Sequence, residues 1–209
     1  MTKYVKMVEG YESTIMANFI RTFFLAFGVL PKLKQSAVES KMQPRLSIVT
    51  SDLHFTTKFT TGREMYIFAA LNNKETSELG MEGRIPLHIT LIRYAASKLI
   101  EGFCVHELAR ELTSEPDSIS ATVVVNCTAL GACMSDFHRE AAGIEKSKKW
   151  ILSTYLACTT EAGSRTLMAS IAAGEESHES YLPNCVVAGV GPLVRGSEGM
   201  TCRREYGIS

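Results

Sequence analysis

The sequence carries no surplus of charge. Its 22 Lys and Arg offset 22 Asp and Glu, so there is no net field to gather a nucleic acid or an anionic membrane. The one basic run, K-S-K-K at 146–149, is too short for a phosphate grip. Long apolar runs are missing as well. The most apolar stretch, T-F-F-L-A-F-G-V-L-P at 22–31, falls short of the ~18 residues of a membrane span and ends at a proline. The N-terminal M-T-K-Y-V-K-M-V-E-G lacks the apolar centre of a signal peptide. Cysteine is present but unpatterned: six residues with no C-x-x-C or Cys/His ligand spacing. Cys104, Cys127 and Cys185 sit inside apolar runs, where a free thiol acts as a small hydrophobe. These absences predict a reduced, cytoplasmic protein with no metal site, no nucleic-acid partner and no membrane span.

What is present is a globular chain of 209 residues, 45% hydrophobic and 21% charged, which is about one domain. Residues 11–30 carry apolar groups at 15, 16, 19, 20, 23, 24, 27 and 30, the spacing of a helix over about 12–30 that Pro31 should stop. A second long helix is predicted over about 91–112, with shorter ones near 64–78, 147–157 and 159–173, the last opening on a threonine cap. β-Branched apolar runs predict strands near 45–51, 121–127 and 183–189. Helices alternating with strands point to an α/β layered domain with about three parallel strands. Such sheets bind ligands at the carboxyl ends of their strands, which singles out Ser51 and the loop after Cys127.

Between those strand ends lies R-Y-A-A-S-K at 93–98. Tyr94 and Lys98, four residues apart, share one helical face. With 7 Tyr in the chain, such a Y-x-x-x-K arises by chance in roughly one chain of this kind in three. Taken alone it describes two neighbours on a helix. Its context is more specific. M-A-N-F-I-R-T-F-F-L precedes R-L-S-I-V-T-S-D-L-H, which precedes R-Y-A-A-S-K-L and then V-V-V-N-C-T-A-L-G-A-C-M-S. In that order the four segments resemble the short-chain dehydrogenase/reductase family, in particular its fungal and retinol-dehydrogenase-like branches. T-T-E-A-G-S-R-T-L and G-E-E-S-H-E-S-Y-L further on resemble the C-terminal helix and strand of fungal members, so the resemblance covers nearly the whole chain.

The resemblance implies catalytic roles for Ser51, Tyr94, Lys98 and Asn18. Tyr94 would exchange a proton with a carbonyl or alcohol oxygen, and Ser51 would hydrogen-bond that oxygen. Lys98 would hold a nicotinamide ribose, and Asn18 would order a water relaying protons to Lys98. NADP or NAD is the implied cofactor, with Tyr94, Lys98, Gly131 and Ser135 on its nicotinamide side. A phenol is a poor base near neutrality, so the Lys98 ammonium is expected to stabilise the phenolate and lower the Tyr94 pKa. Cys133 and the five histidines, His54 among them, receive no role.

The family's opening strand, glycine-rich turn and helix have no counterpart; roughly the first 90 residues of a typical member are not matched. The one glycine cluster, G-V-G-P-L-V-R-G at 189–196, lies at the wrong end. Residues 1–209 therefore read as a single truncated domain, the C-terminal part of a Rossmann-type doubly wound parallel sheet. Cofactor binding by this chain alone is expected to be weak. Three readings follow: an oxidoreductase acting on a small, secondary-metabolite substrate; a cofactor-independent isomerase, dehydratase or cyclase reusing Ser51, Tyr94 and Lys98; or a non-catalytic family remnant that pairs with a full-length relative. A homodimer or heterodimer through the helices near 12–30 and 91–112 is expected, because the lost sheet neighbours leave apolar surface uncovered.

Overall fold

The computed structural model describes residues 7–55, 87–114, 123–133 and 158–195. The helices expected near 64–78 and 147–157 lie outside the described residues. A short antiparallel hairpin, β1 (Met7–Val8) and β2 (Tyr11–Glu12), comes first. Its turn places Glu9 and Gly10 in the left-handed region (φ 53 and 85), which glycine adopts without steric cost. The Glu12 carboxylate then accepts hydrogen bonds from the Thr14 and Ile15 amides at 2.9 and 3.3 Å. It thereby satisfies orphan N–H groups at the positive end of helix α1 (Ser13–Ser40).

Helix α1 departs from expectation twice. It does not stop at Pro31: Arg21–Ser40 is one α-helix with Pro31 inside it, ended by Lys41 in a left-handed conformation. A proline removes one backbone hydrogen bond, to the carbonyl four residues earlier. That residue is Phe27, 56% exposed, so water can solvate the freed carbonyl. Second, by length and composition α1 could cross a membrane, with a mean hydropathy of 1.5 and 22% of the apolar window buried. A search for uninterrupted apolar runs misses this, because Asn18 and Thr22 break the run without abolishing the apolar average. Ile15, Met16, Phe23 and Ala26 face the core, whereas Phe24 (83% exposed) and Leu25 (66% exposed) face outward.

Three parallel strands follow in the order β3 (Arg45–Val49), β4 (Val124–Ala129), β5 (Tyr181–Pro183). Arg45 pairs with Val124 and Val49 with Thr128, while Cys127 pairs with Tyr181. Every residue of β4 is buried, because it has a strand on each edge and a helix over each face. Helix α2 (Leu87–Ser114) and α1 cover one face. There Leu99, Ile100, Phe103, Val105 and Leu112 join Ile48, Val125 and Cys127 in one core. Burying a side chain such as Leu99, 0% exposed, stabilises the fold by about 1.5–3 kcal/mol.

The other face is polar. Helix α3 (Thr160–Ala172), capped by Thr159 as expected, meets the sheet through Ser47 Oγ donating to Ser170 Oγ (2.8 Å) and Asn126 Nδ2 donating to the Ser170 carbonyl (3.0 Å). A 3₁₀ turn (Glu175–Ser177) leads into β5, and a four-residue helix α4 (Pro192–Arg195) ends the described chain.

Among the described residues the main sheet has three parallel strands flanked by helices, a partial Rossmann-like α/β fold. The strand boundaries shift from expectation. β4 starts at Val124, three residues later than predicted, and β3 stops at Val49. The third strand occupies Tyr181–Pro183, not 183–189. Asn184 and Cys185 adopt left-handed backbone (φ 49 and 64), and the chain doubles back so that Ala188 bridges Tyr181 antiparallel. The apolar run that suggested a strand is turned outward, with Val186 61% exposed.

Candidate functional site

Asn18 sits in the middle of Met16–Ile20, which winds as a π turn between the α-helical parts of α1. A π turn holds one extra residue and changes which side chains face the neighbouring helix. Asn18 Nδ2 donates to Ser97 Oγ at 3.0 Å, and Ser97 Oγ donates to the Tyr94 carbonyl at 2.7 Å. The π turn of α1 is thus tied to the turn of α2 that carries Tyr94 and Lys98.

Ser51 leaves the end of β3. Thr50 still donates its N–H to the Thr128 carbonyl (2.7 Å), and the chain then closes into a 3₁₀ turn (Asp52–Phe55). The Ser51 carbonyl accepts from the His54 amide at 3.1 Å and from His54 Nδ1 at 2.6 Å. The Leu53 amide donates to Ser51 Oγ at 3.3 Å. With its backbone held this way, the Ser51 hydroxyl stands near enough to the Tyr94 phenol to favour its ionised form. Lys98 Nζ lies 5.8 Å from the Tyr94 ring centroid. Asn18, Ser51, Tyr94 and Lys98, distant in sequence, therefore meet at the carboxyl end of β3. Gly131 lies one strand over, on the turn after β4, exposed and with φ +72, a conformation that favours glycine. Ser135 lies outside the described residues.

The electrostatics differ from the simple tyrosine–lysine pair. Lys98 Nζ donates to the Val49 carbonyl at 2.8 Å and sits 2.7 Å from Glu101 Oε2. Glu101, 1% exposed, stands one turn along α2. Burial pushes its carboxyl up to about 7, and the neighbouring Lys98 ammonium only partly restrains it. The Tyr94 phenol is raised, not lowered. Burial is the main cause, the Ser51 hydrogen bond works against it, and the Glu101 charge adds to it. The expectation that Lys98 depresses the phenol is corrected here: the ammonium is occupied by a carboxylate, and desolvation outweighs what remains of its field.

Glu101 was missed in the sequence, although K-L-I-E puts an acid at i,i+3 from Lys98, where side chains touch. His54 is buried, and burial lowers its pKa against the Ser51 carbonyl and Asp52. Its Nδ1 donates to the Ser51 carbonyl and braces the Ser51 turn. Tyr181 Oη donates to Asp52 Oδ1, and its ring packs edge-on to His54 at 4.9 Å. No sequence signal links Tyr181 to Asp52, which lie 129 residues apart.

A cavity of about 400 Å³ opens between α1 and the outer edge of β3. Asn18, Thr22, Ser47, Val49, Lys98 and Glu101 are among its lining. It adjoins the site on the Lys98 side, not at the Ser51 and Tyr94 hydroxyls. Chemically, the group offers two O–H donors to a single oxygen, a buried cation behind them, and a carboxyl that changes charge near neutrality.

No protein-family model matches the chain. Individual proteins do. Over 194 residues, 92% of this chain and 48% of the relative, it is 33% identical to a short-chain dehydrogenase of Penicillium roqueforti. Over 196 residues, 93% of this chain and 56% of the relative, it is 34% identical to a short chain dehydrogenase/reductase of Cryptosporiopsis sp.. A short chain dehydrogenase of Gibberella zeae is 30% identical over 205 residues, 98% of this chain and 56% of the relative. The chain spans about half the length of the curated relatives it matches.

Proposed function

Because the chain is homologous to the fungal short-chain dehydrogenases/reductases, we propose that its Ser51–Tyr94–Lys98 group is the proton-transfer end of a carbonyl–alcohol oxidoreductase acting on a small, secondary-metabolite substrate. The observation that carries this reading is the placement of the Ser51 hydroxyl where it favours ionisation of the Tyr94 phenol, with Lys98 Nζ 5.8 Å from the ring centroid. A substrate oxygen placed between the two hydroxyls would receive one hydrogen bond from each residue. Because the phenol is raised, it stays protonated near neutrality and acts as a donor. That suits carbonyl reduction, in which negative charge gathers on the substrate oxygen.

A nicotinamide dinucleotide, NADP or NAD, would supply the hydride. The nicotinamide end fits the residues present. Lys98 has three N–H donors, two of which engage Val49 and Glu101, leaving one for a ribose hydroxyl. Tyr94 stands beside it, Gly131 marks the adjacent strand-end turn, and the cavity reaches Lys98. The pyrophosphate end has no such support among the described residues: Pro192–Arg195, within the glycine cluster, is a helix of four residues. Ordinary family affinity is therefore not expected of this chain alone.

Tyr94→Phe tests the reading. It removes the acidic proton and keeps the ring, so turnover should fall ~100- to 10,000-fold with an unchanged melting temperature. A loss below about tenfold would assign the proton to another group. Dependence of turnover on added NADPH separates this reading from a second one. Glu101, buried with a pKa of about 7 beside Lys98, favours a cofactor-independent isomerase, dehydratase or cyclase. Substrate turnover without dinucleotide, lost in Glu101→Gln, would establish that second activity. For the partner we propose a second copy or a full-length relative docking on the outward face of α1, where Phe24, Leu25 and Phe27 are exposed.

A further inference from the structure

We propose that Cys133 and Cys158 form a modification site: a thiol pair that a disulfide oxidant such as oxidised glutathione converts to an intramolecular disulfide. The two sulfurs lie 3.2 Å apart. Their backbones are already neighbours, because Cys133 and Cys158 form an isolated parallel bridge and the Cys158 amide donates to the Ala132 carbonyl at 2.8 Å. Bridged residues on adjacent strands stand about 5 Å apart at Cα, inside the range a disulfide spans without moving the main chain. Both thiols point to one acceptor, the Leu130 carbonyl, at 3.3 and 3.9 Å. Gly163 of α3 lies directly against Cys133 Sγ, where a side chain would run into the sulfur. The cysteine pair is thus held from the β4 end and from the start of α3.

The other described cysteines do not share this arrangement. Cys104 and Cys127 are buried, and burial pushes both thiols up to about 12. Cys185 is exposed, with the Thr166 hydroxyl as its neighbour at 3.7 Å. Cys133 is also raised, to about 11, by burial and by its hydrogen bond with Cys158. Thiolate is scarce near neutrality, so mildly alkaline conditions speed the exchange.

In the reaction the Cys133 and Cys158 S–H bonds break and a sulfur–sulfur bond forms between them. The glutathione disulfide bond breaks in turn and accepts the two electrons and two protons, giving two glutathione thiols. Excess thiol reverses the exchange. The cross-link fastens the turn that carries Gly131 to the N-terminus of α3, and it does so whatever chemistry Tyr94 performs.

The test uses the full chain and oxidised glutathione at pH 8, followed by acid quench, alkylation and peptide mapping without reduction. The expected product has lost two hydrogen atoms and yields one cross-linked peptide pair containing Cys133 and Cys158. Recovery of both cysteines as alkylated thiols, or as separate mixed disulfides with glutathione, would overturn the proposal. So would a cross-link made only through other cysteines. As an independent readout, the melting temperature of the oxidised wild type should rise by several degrees, since the bond restrains the unfolded chain. Cys133→Ser should show no such rise, and an equal rise in that variant would also refute the assignment.

Discussion

Replacing Glu101 by Gln keeps the shape of the side chain and removes its charge. The carboxyl is 1% exposed, and its pKa moves from 4.5 in the unfolded chain to about 7 in the fold. The folded state therefore binds the proton more tightly than the unfolded state between these values, and stability falls as pH rises through that window. Below about pH 4.5 both states are protonated and the penalty vanishes. Above 7 the penalty is complete. A tenfold difference in proton affinity between the two states corresponds to about 1.36 kcal/mol. Between pH 5 and pH 8 this one group should therefore cost the wild type about 2–3 kcal/mol. Glutamine, which does not titrate, escapes that loss. Glu101→Gln should thus gain about 2–3 kcal/mol relative to wild type on going from pH 5 to pH 8, or about 5–10 °C in melting temperature for a chain of this size. The direction opposes a simple salt-bridge view, in which removing a partner of Lys98 destabilises the protein most when the pair is charged. Urea unfolding of both proteins at the two pH values decides it. Parallel pH profiles, or a variant that loses ground at pH 8, would refute the claim that burial of Glu101 outweighs its attraction to Lys98.

Two further predictions come from the same geometry. In Lys98→Met the phenolate loses its nearby cation, so the alkaline pH at which Tyr94 ionises and reduction fails should move up; an unchanged pH–rate profile would remove Lys98 from the proton chemistry. Phe24→Glu with Phe27→Glu places charge on the exposed face of α1 and should shift sedimentation toward monomer without lowering the melting temperature; identical sedimentation of variant and wild type would show that the face is not an interface.

Some of this protein was legible in its residues. Local periodicity announced α1 and α2, Thr159 announced the start of α3, and alternating helix and strand announced the parallel pairings of β3, β4 and β5. The resemblance of the asparagine, serine and tyrosine–lysine segments to the short-chain dehydrogenase/reductase family implied that four side chains lie toward one end of the sheet. The helices, cap and strands depend on the chain's own spacing, a property of neighbours in sequence.

What only the tertiary structure decided depends on remote residues. Pro31 stays inside α1, where Phe27 four residues earlier is exposed, and past Pro183 the left-handed Asn184 and Cys185 turn the chain back so that Ala188 pairs with Tyr181. Asp52 meets Tyr181 across 129 residues, and Cys133 meets Cys158 across 25, with no local pattern to predict either. Above all, spacing put Lys98 beside Tyr94 but did not say which charge the phenol would feel. That was decided by packing. Helices and sheet exclude water from Tyr94 and Glu101, and the loss of hydration raises both groups; Lys98 only partly restrains Glu101, whose charge pushes the phenol further up.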